Sequence, residues 1–397
     1  MIFKKLQEKS IEALIRSCGV LSTFIVMLII LFLFKEASGL FNRSPLEEGF
    51  GIALHPANTV SELSPFQVRQ IVEQNIKNWK DLGGEDLAIE VVSFNKLEKY
   101  FKEEELGNDL ELLPAKILEL VLSKKGAFVI LPKEYLPKEL RLLELDNINL
   151  GNFLLGEDWY PTAQPVAQLG VLPIILGTLW VTLGAMIFAL PVGIGVAIYL
   201  AEIADKNVKK ILKPIIELLA GIPSIVYGFI GLVIIVPFLQ DTFELAVGET
   251  ALAGSILLAI ISLPTIISLS DDAIRSVPKP LKEASLALGA NHWQSITRVI
   301  LPYATSGIAS ACILGVGRSV GETMAVLMVT GNAAIIPTSF LEPVRTITAT
   351  IAAELGEAPQ GGMHYEALFM LGVILFIFTY IINLVASIIS MKKNLVR

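Results

Sequence analysis

The stretch Glu283–Pro302 reads EASLALGANHWQSITRVILP. It is polar, carries both signs of charge, is broken by Gly289 and ends in Leu301-Pro302, and it stands between two long apolar segments. Small residues at Ala284 and Ser285 let a short helix seat in a groove. Gly289 permits a sharp turn into a second helix. Pro302 then opens the next long helix, at a position where a missing N–H costs nothing. A helical elbow of this kind is suited to being gripped by another protein. An amphipathic connector lying on a membrane surface is the alternative.

The flanking segments belong to a wider pattern. Of 397 residues, 53% are hydrophobic and only 17% charged, which is unusual for a soluble domain. The excess collects in six runs, each near the roughly 20 residues a helix needs to cross a bilayer. They are Cys18–Phe34, Val171–Leu200, Pro214–Leu239, Ala251–Ser270, Thr305–Val329 and Ala367–Ser390. The chain reads as an all-α polytopic membrane protein.

Lysine and arginine in the short loops set the orientation. Lys4, Lys5, Lys9 and Arg16 precede the first run, and Lys206, Lys209, Lys210 and Lys213 lie between the second and third. Arg275, Lys279, Lys282 and Arg298 lie between the fourth and fifth, and Lys392, Lys393 and Arg397 follow the last. The opposite loops, about 240–250 and 331–366, hold only Arg345. Six spans with this bias place both termini in the cytoplasm. The basic start and the small residues Ala37-Ser38-Gly39 also fit a secretory signal, whose apolar region is usually shorter, roughly 7–15 residues.

Cofactor chemistry finds little footing. The two cysteines, Cys18 and Cys312, fall in or beside spans, and His55, His292 and His364 are scattered over separate loops, so no metal cluster or disulfide framework is expected. The dipeptide Gly-Lys never occurs, so the chain has no phosphate-binding loop of the nucleotide-hydrolysing kind. Energy from ATP has to come through a partner.

Between the first two spans, residues 35–168 hold fourteen Lys and Arg against twenty-two Asp and Glu, a net of −8 within a chain of −7. Gly51–Leu54, Leu87–Ser93 and Ala127–Leu131 predict strands, and Ser64–Trp79 and Ala115–Leu122 predict helices. The segment is an extracytoplasmic α/β domain of 35–168, set between residues 1–34 and a transmembrane core of 169–397. The cytoplasmic loop of that core runs 271–302.

Within the spans, the fifth run contains GVGRSVGETMAVLMV, which sets Arg318 and Glu322 deep in apolar sequence. A charge there costs roughly 2.5–3.5 kcal/mol unless it is paired or faces a wet cavity. Spacing of four predicts one helical face, with Gly317 and Gly321 on an adjacent stripe open to another helix. Arg318 can offer a forked cation to an oxyanion in transit, with Glu322 holding it and weakening its grip. A structural ion pair is the other reading.

Several motifs carry a family resemblance. The loop resembles the Glu-Ala-Ala…Gly…Ile-x-Leu-Pro pattern of ATP-driven importer permeases at Glu283, Ala284, Gly289, Leu301 and Pro302, with Ser285 and Val299 as departures. GRSVGETMAV, GIPSIVYGF (221–229), DWYPTAQP (158–165) and PVRTITATIAAELGEA (343–358) resemble phosphate ABC-transporter permeases of the PstC type. That resemblance implies a type I ABC importer permease fold without an active site of its own. It implies a second, PstA-type permease, two ATP-binding subunits and a periplasmic phosphate-binding protein as partners. It associates Arg318 and Glu322 with phosphate passage and makes Arg345 a candidate at the outer mouth. The run from Gly51 to Asn95 and GAFVILPKEYLP (126–137) are similar to part of a periplasmic phosphate-binding protein. Val92–Leu97 replaces that family's phosphate-gripping turn. The inserted lobe is therefore expected to be a docking platform or an inert spacer. Another oxyanion as cargo, such as sulfate or molybdate, a membrane sensor, or an ion-driven carrier are the rival readings.

Overall fold

The computed structural model describes residues 2–46, 49–102, 106, 110–143, 145 and 147–394. The side chains of Lys4, Lys5, Lys9, Lys392 and Lys393, and the whole of Arg397, lie outside the described residues. The chain divides into two compact units. One comprises Met1–Ala37, Val171–Gln360 and Leu368–Arg397, and the other Ser38–Gly170 with Gly361–Ala367.

The first helix, α1 (Ile2–Ser38), leads into the smaller unit. That unit is built on β1 (Phe50–Leu54), α2 (Pro65–Val72), β2 (Glu90–Ser93), α3 (Leu113–Ser123), β3 (Ala127–Pro132) and β4 (Arg141–Leu143). The sheet order is β2-β3-β1-β4, antiparallel except for the parallel pair β2–β3. Alternation along the strands feeds two cores. Ile52, Leu54, Phe128, Ile130 and Leu143 pack with Val68, Ile71 and Trp79 on one face. Ala53, Val92, Val129 and Leu131 pack with Leu113, Ile117 and Val121 on the other. Each fully buried side chain of this size contributes on the order of 1.5–3 kcal/mol. Helix α4 (Leu150–Leu155) and the two-residue strands β5 (Trp159–Tyr160) and β6 (Gln168–Leu169) complete the unit.

The expected helix over Ser64–Trp79 is half that length. Ser64 and Gln67 form a reciprocal cap at its start, but Gln74 adopts φ 63°, which ends the helical path. Trp79 instead opens a 3₁₀ turn, and its indole Nε1 donates to the Gly126 carbonyl at 3.1 Å. Strand β4 was not expected. It is three residues long, and its pairing with β1 is non-local.

The larger unit continues through α5 (Leu172–Ile198), α6 (Lys206–Gly221), α7 (Ser224–Ile230), α8 (Val236–Phe243) and α9 (Ala251–Arg275). It goes on with α10 (Lys279–Ala287), α11 (His292–Ser295), α12 (Leu301–Gly321), α13 (Met324–Val329), α14 (Ile347–Glu354) and α15 (Met363–Asn394). Among the described residues, six helical stretches are long and apolar enough to cross a membrane: Leu14–Asn42, Leu172–Ile203, Ser224–Phe243, Ala251–Arg275, His292–Gly321 and Met363–Val385. Small polar residues draw these helices together, as is usual where lipid supplies no hydrophobic drive. Ser255 Oγ of α9 donates to the Val181 carbonyl of α5 at 3.2 Å, and Ser262 of α9 meets Ser319 of α12 at 2.8 Å. Phe32 of α1 packs edge-on against Phe369 of α15, with centroids 5.7 Å apart.

The third and fifth spans differ most from the sequence reading. The third span begins at Ser224, not Pro214. Ile222 is driven out of the helical region (φ −71°, ψ 128°) by the proline after it, so α6 is a separate helix. The fifth span begins at His292 and ends at Gly321, so Pro302 sits inside a continuing helix. A π turn over Ile296–Ile300 immediately precedes it, and another over Gly231–Ile235 precedes Pro237. A proline ring clashes with the carbonyl four residues back, and the wider π turn relieves that clash.

Candidate functional site

The elbow forms as two short helices clamped at their base. Helix α10 ends at Ala287, and Gly289 just past it has a φ of +88°, in the left-handed region, and a missing Cβ that would meet nothing within 4 Å. The glycine is therefore required by its backbone angle rather than by crowding. Asn291 then caps α11, accepting from Gln294 N at 2.8 Å while Gln294 Oε1 accepts from Asn291 N at 2.9 Å. Ser285 and Ser295, both buried, share a hydrogen bond of 2.7 Å that ties the two helices together. Glu283 and Ala284 are exposed, as are Leu281, Leu286 and Trp293. Leu288 is 89% exposed at the tip, an apolar side chain left almost uncovered. Leu301 and Pro302 lie beyond the π turn, in the first turn of α12.

Behind the elbow lies a junction that sequence reasoning missed. Helix α5 ends in a π turn, Tyr199–Ile203, and three successive carbonyls there accept from basic side chains on three other elements. Arg275 Nη2 donates to Leu200 O at 3.1 Å, Lys209 Nζ to Ala201 O at 3.3 Å, and His292 Nε2 lies 3.3 Å from Glu202 O. Cations suit a helix C-terminus, where unsatisfied carbonyls carry the negative end of the dipole. The Glu202 carboxylate pairs with Lys282 of α10. Asp271, with a side chain 3% exposed, accepts from Arg275 Nε at 2.7 Å and has Lys213 Nζ at 3.9 Å. A sequence signal existed, since Glu202 and Asp271 stand at the ends of apolar runs amid lysines. Arg275 stands at the helical i+4 spacing from Asp271, but Lys213 and Lys282 lie far from Asp271 and Glu202 in sequence, which no local pattern reveals.

The in-span charges separate. Arg318 is exposed, and its Nη1 lies 3.5 Å from Thr265 Oγ1 of α9. Next to it, buried Ser319 holds α12 against α9. Among the described residues Glu322 does not pair with Arg318, so the structural ion pair is not formed. The helix stops at Gly321, and the chain leaves the helical path at Glu322, whose φ is −69° and ψ 134°. Its Oε1 accepts from Thr323 N at 3.1 Å and Ala325 N at 3.5 Å, capping the start of α13, and its carbonyl accepts from Thr348 Oγ1 at 2.6 Å. Among the described residues no carboxylate pairs with Arg318. The glycines Gly317 and Gly321 face open space within this chain, while Gly315 makes the close approach to Ile266.

Arg345 is braced rather than free. Its Nε donates to Asn332 O at 2.7 Å, and its Nη1 meets Glu354 Oε1 of α14 at 2.6 Å. The backbone of α5 passes directly against it. A Cβ built at Gly177 would fall 2.3 Å from Arg345 O.

Six apolar spans and an elbow whose leucines are exposed define a polytopic membrane protein. The chain belongs to the family of binding-protein-dependent transport system inner membrane components, which it matches over residues 189–393. It is 39% identical over 257 residues to the probable ABC transporter permease protein YqgH of Bacillus subtilis, covering 65% of this chain and 83% of that protein. It is 38% identical over 260 residues to the phosphate transport system permease protein PstC of Mesorhizobium japonicum, covering 61% and 78%. Among solved structures it resembles the inward-facing MetNI methionine ABC transporter, with 22% identity and a TM-score of 0.43, over 54% of this chain and 91% of that one. The chain is a multi-pass inner membrane protein and the non-catalytic membrane subunit of an ABC importer, whose ATPase and substrate-binding protein are separate partners.

Proposed function

We propose that the chain is the permease subunit of an importer of inorganic phosphate, with both termini in the cytoplasm. The relatives named as phosphate transport permeases, at 34–38% identity, support the cargo. The loop-charge bias supports the orientation. The observation that carries the reading is Arg318: a guanidinium within a span, exposed, beside a hydroxyl and without a carboxylate partner among the described residues. A fork of N–H donors in this setting suits a tetrahedral oxyanion.

A second, PstA-type permease would face the Gly317–Gly321 stripe, and two ATP-binding subunits would drive the pair. The elbow bearing Glu283, Ala284, Gly289 and Leu288 would seat in one ATPase subunit, and its movement would pass through Lys282 and His292 to the end of α5. Alternating access around Arg318 follows. Glu322 would shape the path by fixing the break between α12 and α13, and Arg345 would hold the loop that frames it. The acidic inserted unit would receive the phosphate-loaded binding protein.

Replacement of Arg318 by Gln tests the cargo assignment. Uptake of labelled phosphate should be lost while membrane insertion and assembly persist. Normal uptake by that variant would refute the role. In the unmodified transporter, sulfate or molybdate competing as well as phosphate would move the reading to oxyanions at large.

A further inference from the structure

We propose that α6 is an interfacial helix seated on anionic phospholipid, with Lys206 and Lys210 on headgroup phosphates and Ile211, Ile215 and Leu218 at the acyl boundary. The proposal rests on membership of the membrane family and is independent of phosphate as cargo.

The sequence of α6, KNVKKILKPIIELLAG, divides into two faces. Lys206, Lys210 and Lys213 recur at the spacing of one helical side, with Glu217 continuing it. Ile211, Ile215, Leu218 and Leu219 occupy another side and are exposed, Leu218 at 72%. No residue of α6 is buried. An amphipathic helix with lysines opposite uncovered aliphatic residues has the composition of one lying in the plane of a membrane surface.

Its neighbours fix its level. Lys209 reaches Ala201 O, in the terminal turn of α5, at 3.3 Å, and Lys213 lies 3.9 Å from Asp271, one turn before the end of α9. The Leu219 carbonyl accepts from Tyr227 OH, in the first turn of α7, at 2.8 Å. From one end to the other, α6 is tied to the ends of three spans. That is the depth at which headgroups sit. Lys209 and Lys213 are used in these ties, whereas Lys206 and Lys210 are exposed and form no ion pair among the described residues. Each such lysine near an anionic surface adds about 1 kcal/mol, or roughly fivefold in binding.

The experiment uses the assembled transporter in nanodiscs, with Cys18 and Cys312 replaced by serine and a fluorophore on a cysteine introduced at position 218. Brominated phosphatidylglycerol should quench it more strongly than brominated phosphatidylcholine. The double variant Lys206→Gln, Lys210→Gln should lose that preference by about fivefold per lysine. Equal quenching by the two lipids in the unmodified helix would overturn the proposal. Absence of quenching by either would overturn it too, and would assign the apolar face to the second permease subunit. Retention of the preference in the double variant would also count against it.

Discussion

Lys282 of the elbow helix α10 forms an ion pair with Glu202 in the π turn that ends α5. The acid is nearly buried and the lysine about a third exposed, so the pair is shielded from water on one side. It joins the segment that a motor subunit would move to α5, which runs against α9 in the core. The neighbouring His292 contact to Glu202 O strengthens the same link from α11.

The first prediction concerns that pair. Lys282→Glu should leave two like charges facing each other, and a partly buried unpaired carboxylate costs about 1–3 kcal/mol. ATP hydrolysis by the assembly should persist while phosphate uptake per ATP falls several-fold. The swapped double variant Glu202→Lys, Lys282→Glu should recover most of the loss. Failure of the swap to recover uptake, with assembly intact, would show that the pair does not carry the movement.

Arg318 yields a second. Lysine keeps the charge but lacks the planar fork that binds two oxygens at once. Arg318→Lys should therefore insert and assemble normally yet lose about tenfold in uptake, with the loss falling on the apparent affinity for phosphate. Thr265→Val removes the hydroxyl 3.5 Å from the guanidinium and should produce a smaller defect of the same kind. Transport assays over a range of phosphate concentrations separate the two outcomes.

Much of this architecture is legible in the residues, and the reasons differ by level. Apolar runs of span length declare six crossings because lipid imposes length directly. Gly289 declares the elbow because few other residues tolerate its angle. The strand GAFVIL declares itself by a run apolar on both faces, matching its burial on both sides of the sheet. What fails is continuity across short irregularities. A helix from Thr305 to Val329 is the simplest reading of an apolar run, but the break at Glu322 is decided by acceptors and donors from α13 and Thr348, distant or non-periodic in sequence. The same holds for Arg345, whose partners Asn332 and Glu354 appear only once the loop is closed.

Glu322 is bonded to the start of α13 and not to Arg318. As a cap for α13, it should tolerate glutamine, whose Oε1 accepts the same hydrogen bonds. Glu322→Ala should lower stability by about 1 kcal/mol, the usual net contribution of a hydrogen bond. Thermal unfolding in detergent reads the difference. Uptake lost in Glu322→Gln at unchanged melting temperature would show that its charge, and not its capping, serves transport.

At Gly289 the test is backbone strain. With open space around the missing Cβ, any cost of substitution comes from φ +88° alone. Gly289→Val should strain the turn by about 1–3 kcal/mol, while Gly289→Asn should be milder because asparagine visits this region more readily. Recovery of the ATPase subunit on affinity purification should fall for valine and largely persist for asparagine. Equal recovery with both would show that the elbow angle does not govern docking.

The loop before α14 offers a pH dependence. Hydrogen bonds from Thr338 N at 2.9 Å and Thr338 Oγ1 at 2.8 Å hold the Glu342 carboxyl below its ordinary range against the opposing desolvation, and Ser339 N at 3.2 Å adds to them. The turn they close also presents Phe340 O and Glu342 O to the first amides of α9, Leu252 N at 2.8 Å and Ala251 N at 2.9 Å. Because the folded value is depressed, the stabilisation is fully present above the unfolded carboxylate's pKa and is lost as pH falls through the folded one. Hydrogen-exchange protection at Ala251 and Leu252, corrected for the intrinsic pH effect, should therefore hold at neutral pH and decline on acidification. In Glu342→Gln the protection should be lower at neutral pH and insensitive to acid. A matching acid-dependent decline in that variant would assign the effect to another group.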